Sequence, residues 1–161
     1  MRVLIVSDTH RQSHNFHRAL ERVSPVDMII HCGDAEGYED ELAGMAGCPL
    51  RIVQGNNDFF SPLPKDLEFR YAGLNFWVNH GHRYYVNADT DIIKKAAADR
   101  GADIVCFGHT HRPLIEEDTD LSVVALNPGS LTYPRQEGRR PSYIVMEIDQ
   151  NGVPHYEIQY L

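Results

Sequence analysis

Five short segments concentrate side chains that ionise, bind metals or offer amide oxygens: Asp8-Thr9-His10, Gly33-Asp34, Gly55-Asn56-Asn57-Asp58, His80-Gly81-His82 and Gly108-His109-Thr110-His111. Across them, Asp8, His10, Asp34, Asn56, His80, His109 and His111 supply carboxylate, amide and imidazole donors. That mixture suits Mn, Fe, Co, Ni or Zn better than Ca or Mg, which prefer oxygen alone. One Asp-x-His is weak evidence, and a lone histidine is usually a surface or hydrogen-bonded residue. The repetition carries the inference, because burying this many polar groups without a cation leaves costly unpaired partners. Residues two apart in an extended segment point the same way, so Asp8 with His10, and His109 with His111, are expected to face one cavity from strand ends.

The segments follow what read as buried strands. Residues 3–6 are a short apolar run of the kind covered on both faces, a second buried strand is expected over 27–31 and a third strand over 50–54. Between them, apolar residues at helical spacing predict helices over 14–23 and 39–45. This βαβαβ alternation predicts a parallel sheet with helices outside and functional groups beyond the strands' carboxyl ends. Further on, a hairpin is expected over 67–71 and 74–79 around Ala72-Gly73, a helix over 89–100 and a strand over 103–107. Strands expected over 114–117, 122–126, 142–148 and 155–160, without intervening helices, give the C-terminal third an antiparallel character. The fold class expected is α/β (α+β), two packed mixed β-sheets with helices on the outer faces, as a single domain over residues 1–161.

A net charge of −8 with no Lys/Arg run argues against a duplex-binding surface, so no specific nucleic-acid binding is expected. Cys32, Cys48 and Cys106 are odd in number and lack CxxC spacing, which reads as reduced thiols and a cytoplasmic location. Neither a signal-peptide core nor a membrane-spanning run is expected.

The ordered motifs DTH, GD, GNND, HGH and GHTH closely resemble those of the calcineurin-like metallophosphoesterases. The short length and Asn127-Pro128-Gly129-Ser130 are similar to the small YfcE-type phosphodiesterases, relatives of the retromer subunit Vps29. The resemblance implies the αββα sandwich of that superfamily. It implies one metal held by Asp8, His10 and His111, another by Asn56, His80 and His109, and Asp34 bridging both. Manganese is the first expectation, with Fe, Zn, Ni or Co as alternatives. Two divalent cations set against Asp8, Asp34 and a bridging hydroxide leave about one positive charge, which fits an anionic phosphate ester attacked by that hydroxide. The function expected is a phosphodiesterase acting on a small phosphodiester, with weaker phosphomonoesterase action and self-association into a homo-oligomer. The alternative is a non-catalytic, Vps29-like binding scaffold.

The chain departs from the larger members at Asn57, where they carry a histidine that assists the leaving group. An amide cannot donate a proton as a general acid, although its NH₂ can hydrogen-bond a phosphate oxygen, so Asn57 is expected to face substrate. His82 is divided between a substrate contact and a solvated loop. Asp58 and His31 read as structural, Asn127–Ser130 as a turn, and His14, His17 and His155 as surface residues. Arg135 is either solvated or a contact for the second substituent of a diester.

Overall fold

The computed structural model describes residues 1–161. Strand β1 (Arg2–Val6) is apolar from Val3 onward because both faces are covered there: Val3 and Ile5 point between two sheets, while Leu4 and Val6 point outward beneath helices. Each such buried aliphatic side chain contributes about 1.5–3 kcal/mol. Helix α1 (His14–Val23) supplies the outer cover with Phe16, Ala19, Leu20 and Val23 at i, i+3, i+4 and i+7. Strand β2 (Met28–His31) repeats the alternation, helix α2 (Glu39–Ala46) buries Leu42 and Ala46, and β3 (Leu50–Ile52) follows.

The hairpin forms as β4 (Asp66–Tyr71) and β5 (Leu74–Asn79), turning through Ala72 and Gly73, whose φ values are 51° and 87°. Two successive positive φ angles match the right-handed twist of the flanking strands. A single 3₁₀ turn (His82–Tyr84) leads to helix α3 (Asp91–Asp99), β6 (Ile104–Cys106), β7 (Pro113–Asp118) and β8 (Val123–Pro128). Strands β9 (Ser142–Ile148) and β10 (Pro154–Tyr160) close the chain.

One sheet runs β10-β9-β1-β2-β3 and the other β4-β5-β6-β8-β7. Strands β1, β2 and β3 are parallel, as are β5, β6 and β8, while β4, β7, β9 and β10 pair antiparallel. The expected architecture of two mixed sheets with outer helices is therefore present. The antiparallel character expected of the C-terminal third holds for three of its strands but not for the β8 pairing with β6. Asn127 and Pro128, expected in a turn, end β8 and are buried; the chain bends at Gly129, where φ is 78°. Pro128 needs no amide proton here, so a strand end tolerates it.

Between the sheets, Val3, Ile5 and Ile30 meet Phe76, Val78 and Ile104, with Cys32 and Cys106 among them. Beneath α3, Trp77 and Val105 meet Ile93 and Ala97. Lys94 of α3 is also buried, and its ammonium reaches Glu116 at 2.5 Å and Asp118 at 3.2 Å on β7. No helix is long and apolar enough to cross a membrane.

Candidate metal centre

The carboxyl ends of the parallel strands in both sheets converge on one site. Asp8 follows β1, Asp34 follows β2, Asn56 follows β3, His80 follows β5, and His109 and His111 follow β6. The approach does not use the extended geometry expected from spacing. Asp8, His10, Asp34, His109 and His111 have φ values of 55°, 43°, 60°, 69° and 58°. Left-handed backbone is costly for non-glycine residues, and its repetition here turns each loop sharply so that its side chain points inward. Close approach also requires glycine. A Cβ on Gly55 would lie 2.0 Å from Asp34 Oδ1, and one on Gly108 would lie 2.0 Å from Ser7 Oγ.

Asp8 is fully buried, and its Oδ1 has no hydrogen-bond partner. Around that oxygen stand the Nε2 atoms of His111 at 3.0 Å, His10 at 3.6 Å and His80 at 4.0 Å. The outer nitrogens are committed elsewhere: His111 Nδ1 donates to the Tyr133 carbonyl at 2.7 Å, His80 Nδ1 to the Cys32 carbonyl at 2.7 Å, and His10 Nδ1 to Glu36 at 2.6 Å. Such partners fix the tautomer and direct the other nitrogen's lone pair inward, as metal-binding histidines require. Two acceptor-rich clusters result. His10 Nε2 faces His111 Nε2 at 3.3 Å, and His80 Nε2 faces Asn56 Oδ1 at 3.0 Å, with Asn56 Oδ1 also 2.8 Å from His109 Nδ1. The Asp34 carboxylate stands between them, 3.4 Å from His80 Nε2 and 4.0 Å from His10 Nε2.

Opposed lone pairs at these distances need a cation, a proton or a metal, to be stable. Without metal, protons serve. Burial opposes the His10 imidazolium, but the Asp8 carboxylate beside it and its hydrogen bond to Glu36 outweigh that and raise His10 to about 9. Burial likewise opposes ionisation of Asp8 and Asp34, yet the histidines hold Asp8 far below the usual carboxylate range and Asp34 below its ordinary value.

Every expected ligand is thus brought to the site. Asn57 arrives too and lines the hollow over the site, while its backbone N–H and one hydrogen of its side-chain NH₂ bond the two oxygens of Asp34 at 2.8 and 2.6 Å. His82 lies beside the second cluster, its ring 5.5 Å from that of His80 and 6.0 Å from that of His109, and burial, then His80, lowers it to about 4. Asp58 is structural as expected: it is buried and accepts the backbone N–H groups of Asp34 at 2.8 Å and Gly55 at 2.7 Å, and that of Glu36. His31 is buried and neutral, lowered to about 4 by burial, accepting from the Gly33 amide and donating to Thr9. His14, His17 and His155 are exposed.

Glu36, Asn87, Asn127 and Ser130 were not singled out for these roles. Glu36 orients His10, and its two-residue spacing from Asp34 echoes Asp8 and His10, a signal visible in the sequence. Asn87 bonds His109 Nε2 at 3.0 Å. Asn127 braces Gly108 and Thr110, and Ser130 donates to the Asp8 carbonyl while accepting from the Thr132 and Tyr133 amides. No local pattern marks Asn87, whereas Asn127 and Ser130 belong to the Asn-Pro-Gly-Ser segment that the sequence reads as a turn.

Residues 1–151 match the calcineurin-like phosphoesterase superfamily domain. The chain belongs to that superfamily. A Bacillus subtilis (strain 168) protein named "Probable metallophosphoesterase YsnB" is 31% identical over 153 residues, spanning 94% of this chain and 87% of its own. A Methanocaldococcus jannaschii protein named as a phosphodiesterase is 26% identical over 151 residues, spanning 80% of this chain and 83% of its own. The crystal structure of a conserved Streptococcus pneumoniae TIGR4 protein described as a predicted phosphoesterase superposes with TM-score 0.80 at 26% identity, covering 98% of this chain and 97% of that one. Entamoeba histolytica Vps29, at 22% identity, shares the fold with TM-score 0.78 over 100% and 99% of the two chains. The superfamily's dependence on divalent metals agrees with the orphaned Asp8 oxygen and the mixed donor set.

Proposed function

We propose that this superfamily member is a dinuclear, metal-dependent phosphodiesterase. The observation that carries the reading is the pair of inward-facing clusters of metal-binding side chains on either side of Asp34, around a buried Asp8 oxygen with no hydrogen-bond partner. Asp8, His10 and His111 would hold one ion, Asn56, His80 and His109 the other, and Asp34 both. Manganese is the first choice among Mn, Fe, Zn, Ni and Co. Bound cations supply Lewis-acid polarisation of a phosphoryl oxygen and acidify water at neutral pH.

The chain's own residues supply position. Glu36 and the carbonyls of Cys32 and Tyr133 aim the imidazoles, Asn57 holds both oxygens of Asp34, and Asp58 ties the Asp34 and Gly55 loops together. The hollow above them, about 190 Å³, is also lined by Tyr133 and Arg135, and the arginine suits an anionic ester. A diester is favoured because the M. jannaschii relative is named as a phosphodiesterase and because the hollow adjoins a larger cleft through Arg135. The protein's location would be cytoplasmic, and self-association belongs to the same reading.

The test is to strip the protein with a chelator, reload it with Mn²⁺ and assay bis(p-nitrophenyl) phosphate. Turnover should appear with two metals per chain and be nearly abolished in Asp34→Asn with the fold retained. Undiminished turnover in that variant with two metals bound removes the bridging role of Asp34. No turnover in the two-metal wild type overturns the enzymatic reading.

A further inference from the structure

A cleft of about 500 Å³ opens beside the metal centre, between the segment entering α3 and the start of β7. Its size lies in the range of small-molecule sites and exceeds the needs of a methyl or glycerol substituent. Arg135 is the one residue lining both this cleft and the hollow over the metal centre. Its backbone N–H donates to the His111 carbonyl at 3.0 Å, which sets its place, and its guanidinium makes no hydrogen bond or ion pair within the chain. A free guanidinium at the junction is suited to a phosphate whose substituents lie on either side. Asn87 makes a second link, lining the cleft while bonding His109.

The lining restricts what the cleft can accept. Val86, Phe107 and Leu114 provide apolar surface for a ring. Asp89, Asp91 and Glu116 line the cleft but not the hollow and outnumber Arg112, the cleft's cation apart from Arg135, and Glu116 is held in place by Lys94 and Thr90. Carboxylates repel a second phosphate and accept hydrogen bonds from hydroxyl and amino groups. The occupant they describe is an uncharged ring-bearing group rich in donors.

Resting on the phosphodiesterase reading above, we infer that this cleft is the subsite for a nucleoside arm of the substrate, with Arg135 on the phosphate at the junction. In the reaction water adds to phosphorus, the bond from phosphorus to the leaving oxygen breaks, that oxygen takes a proton, and the nucleoside monophosphate remains. Arg135 would position the phosphate common to all such esters, and the preference for the nucleoside arm would come from the cleft lining.

The test compares the p-nitrophenyl esters of thymidine 5′-phosphate and of methyl phosphate, which share a leaving group, on the Mn²⁺-loaded full chain. The thymidine ester should show kcat/KM at least about tenfold higher, mainly through KM. Leu114→Trp, which fills the cleft, should bring that ratio down toward one. Thymidine itself should inhibit wild-type turnover of the methyl ester competitively, a readout that needs no variant to fold. Turnover of the methyl ester with no thymidine preference and no inhibition by thymidine overturns the subsite alone. Absence of turnover on both esters overturns the subsite together with the reading it rests on.

Discussion

At the scale of single residues, Asn57 changes meaning once its contacts are known. Besides lining the hollow, it bonds one oxygen of Asp34 through its side-chain NH₂ and the other through its backbone N–H, and so holds in position the carboxylate proposed to serve both ions. Partners of metal-binding carboxylates typically contribute about 10–100-fold to metal affinity. Asn57→Leu, of similar volume, should therefore weaken Mn²⁺ binding by that factor in calorimetry, with much of kcat recovered at saturating metal; unchanged affinity would show the bond to Asp34 to be incidental. Since no imidazole stands at position 57, rates on esters of graded leaving-group pKa should fall steeply, and a flat series with chemistry rate-limiting would reveal another proton donor. His10 supplies a pH dependence. Its pKa near 9 without metal means that below that pH a proton occupies the nitrogen an ion must take. Apparent affinity for the ion at Asp8, His10 and His111 should fall about tenfold per pH unit as pH drops below about 9. Calorimetry at pH 7 in buffers of different ionisation enthalpy should register about one proton released from His10 as that ion binds.

At the scale of elements, the strand ends work because their loops approach closely. Gly108→Ala places a methyl 2.0 Å from Ser7 Oγ and 2.7 Å from Asp8 Oδ2, so the loop carrying His109 and His111 must retreat. A displacement near 1 Å at a reacting centre costs about 10²-fold. We expect kcat/KM to fall by at least that factor, and a wild-type rate would mean the loop relaxes without moving its histidines. Gly44 is the contrast. It is exposed in α2, and an added Cβ meets nothing within 4 Å. Gly44→Ala should raise stability by about 0.5–1 kcal/mol in denaturant unfolding, with kcat unchanged, because alanine gives up less backbone entropy on forming the helix.

At the scale of the molecule, the two sheets each carry part of the centre: Asp8, Asp34 and Asn56 follow strands of one, and His80, His109 and His111 follow strands of the other. Metal bound at the proposed centre would therefore clamp the sheets across the core containing Ile5, Ile30, Val78 and Ile104. Binding to the native state alone at a hundredfold excess over Kd stabilises it by about 2.7 kcal/mol, several degrees in Tm for a chain of this size. Mn²⁺ should raise Tm accordingly, chelation should reverse the gain, and Asp34→Asn should reduce it. An equal gain in that variant would place the binding outside this centre.

The sequence alone determined the identity of the strands and the roster of the site. Runs such as residues 3–6 and 28–30 are apolar throughout because both faces are buried, a signal contained in consecutive residues. The donor residues follow those runs, so their clustering was legible as soon as the strands were placed in parallel sheets. What remained hidden depends on contacts between distant segments. The parallel pairing of β8 with β6 and the burial of Asn127 follow from sheet order, which local periodicity does not encode. The left-handed backbone at Asp8, His10, Asp34, His109 and His111 contradicts local preference and is held by tertiary packing. Glu36 on His10, Ser130 on the Asp8 carbonyl and the Tyr133 carbonyl on His111 span separations of 26, 122 and 22 residues. Residue type and spacing thus told which groups gather at the site, but the direction of each lone pair belongs to hydrogen bonds that exist only after the sheets have packed.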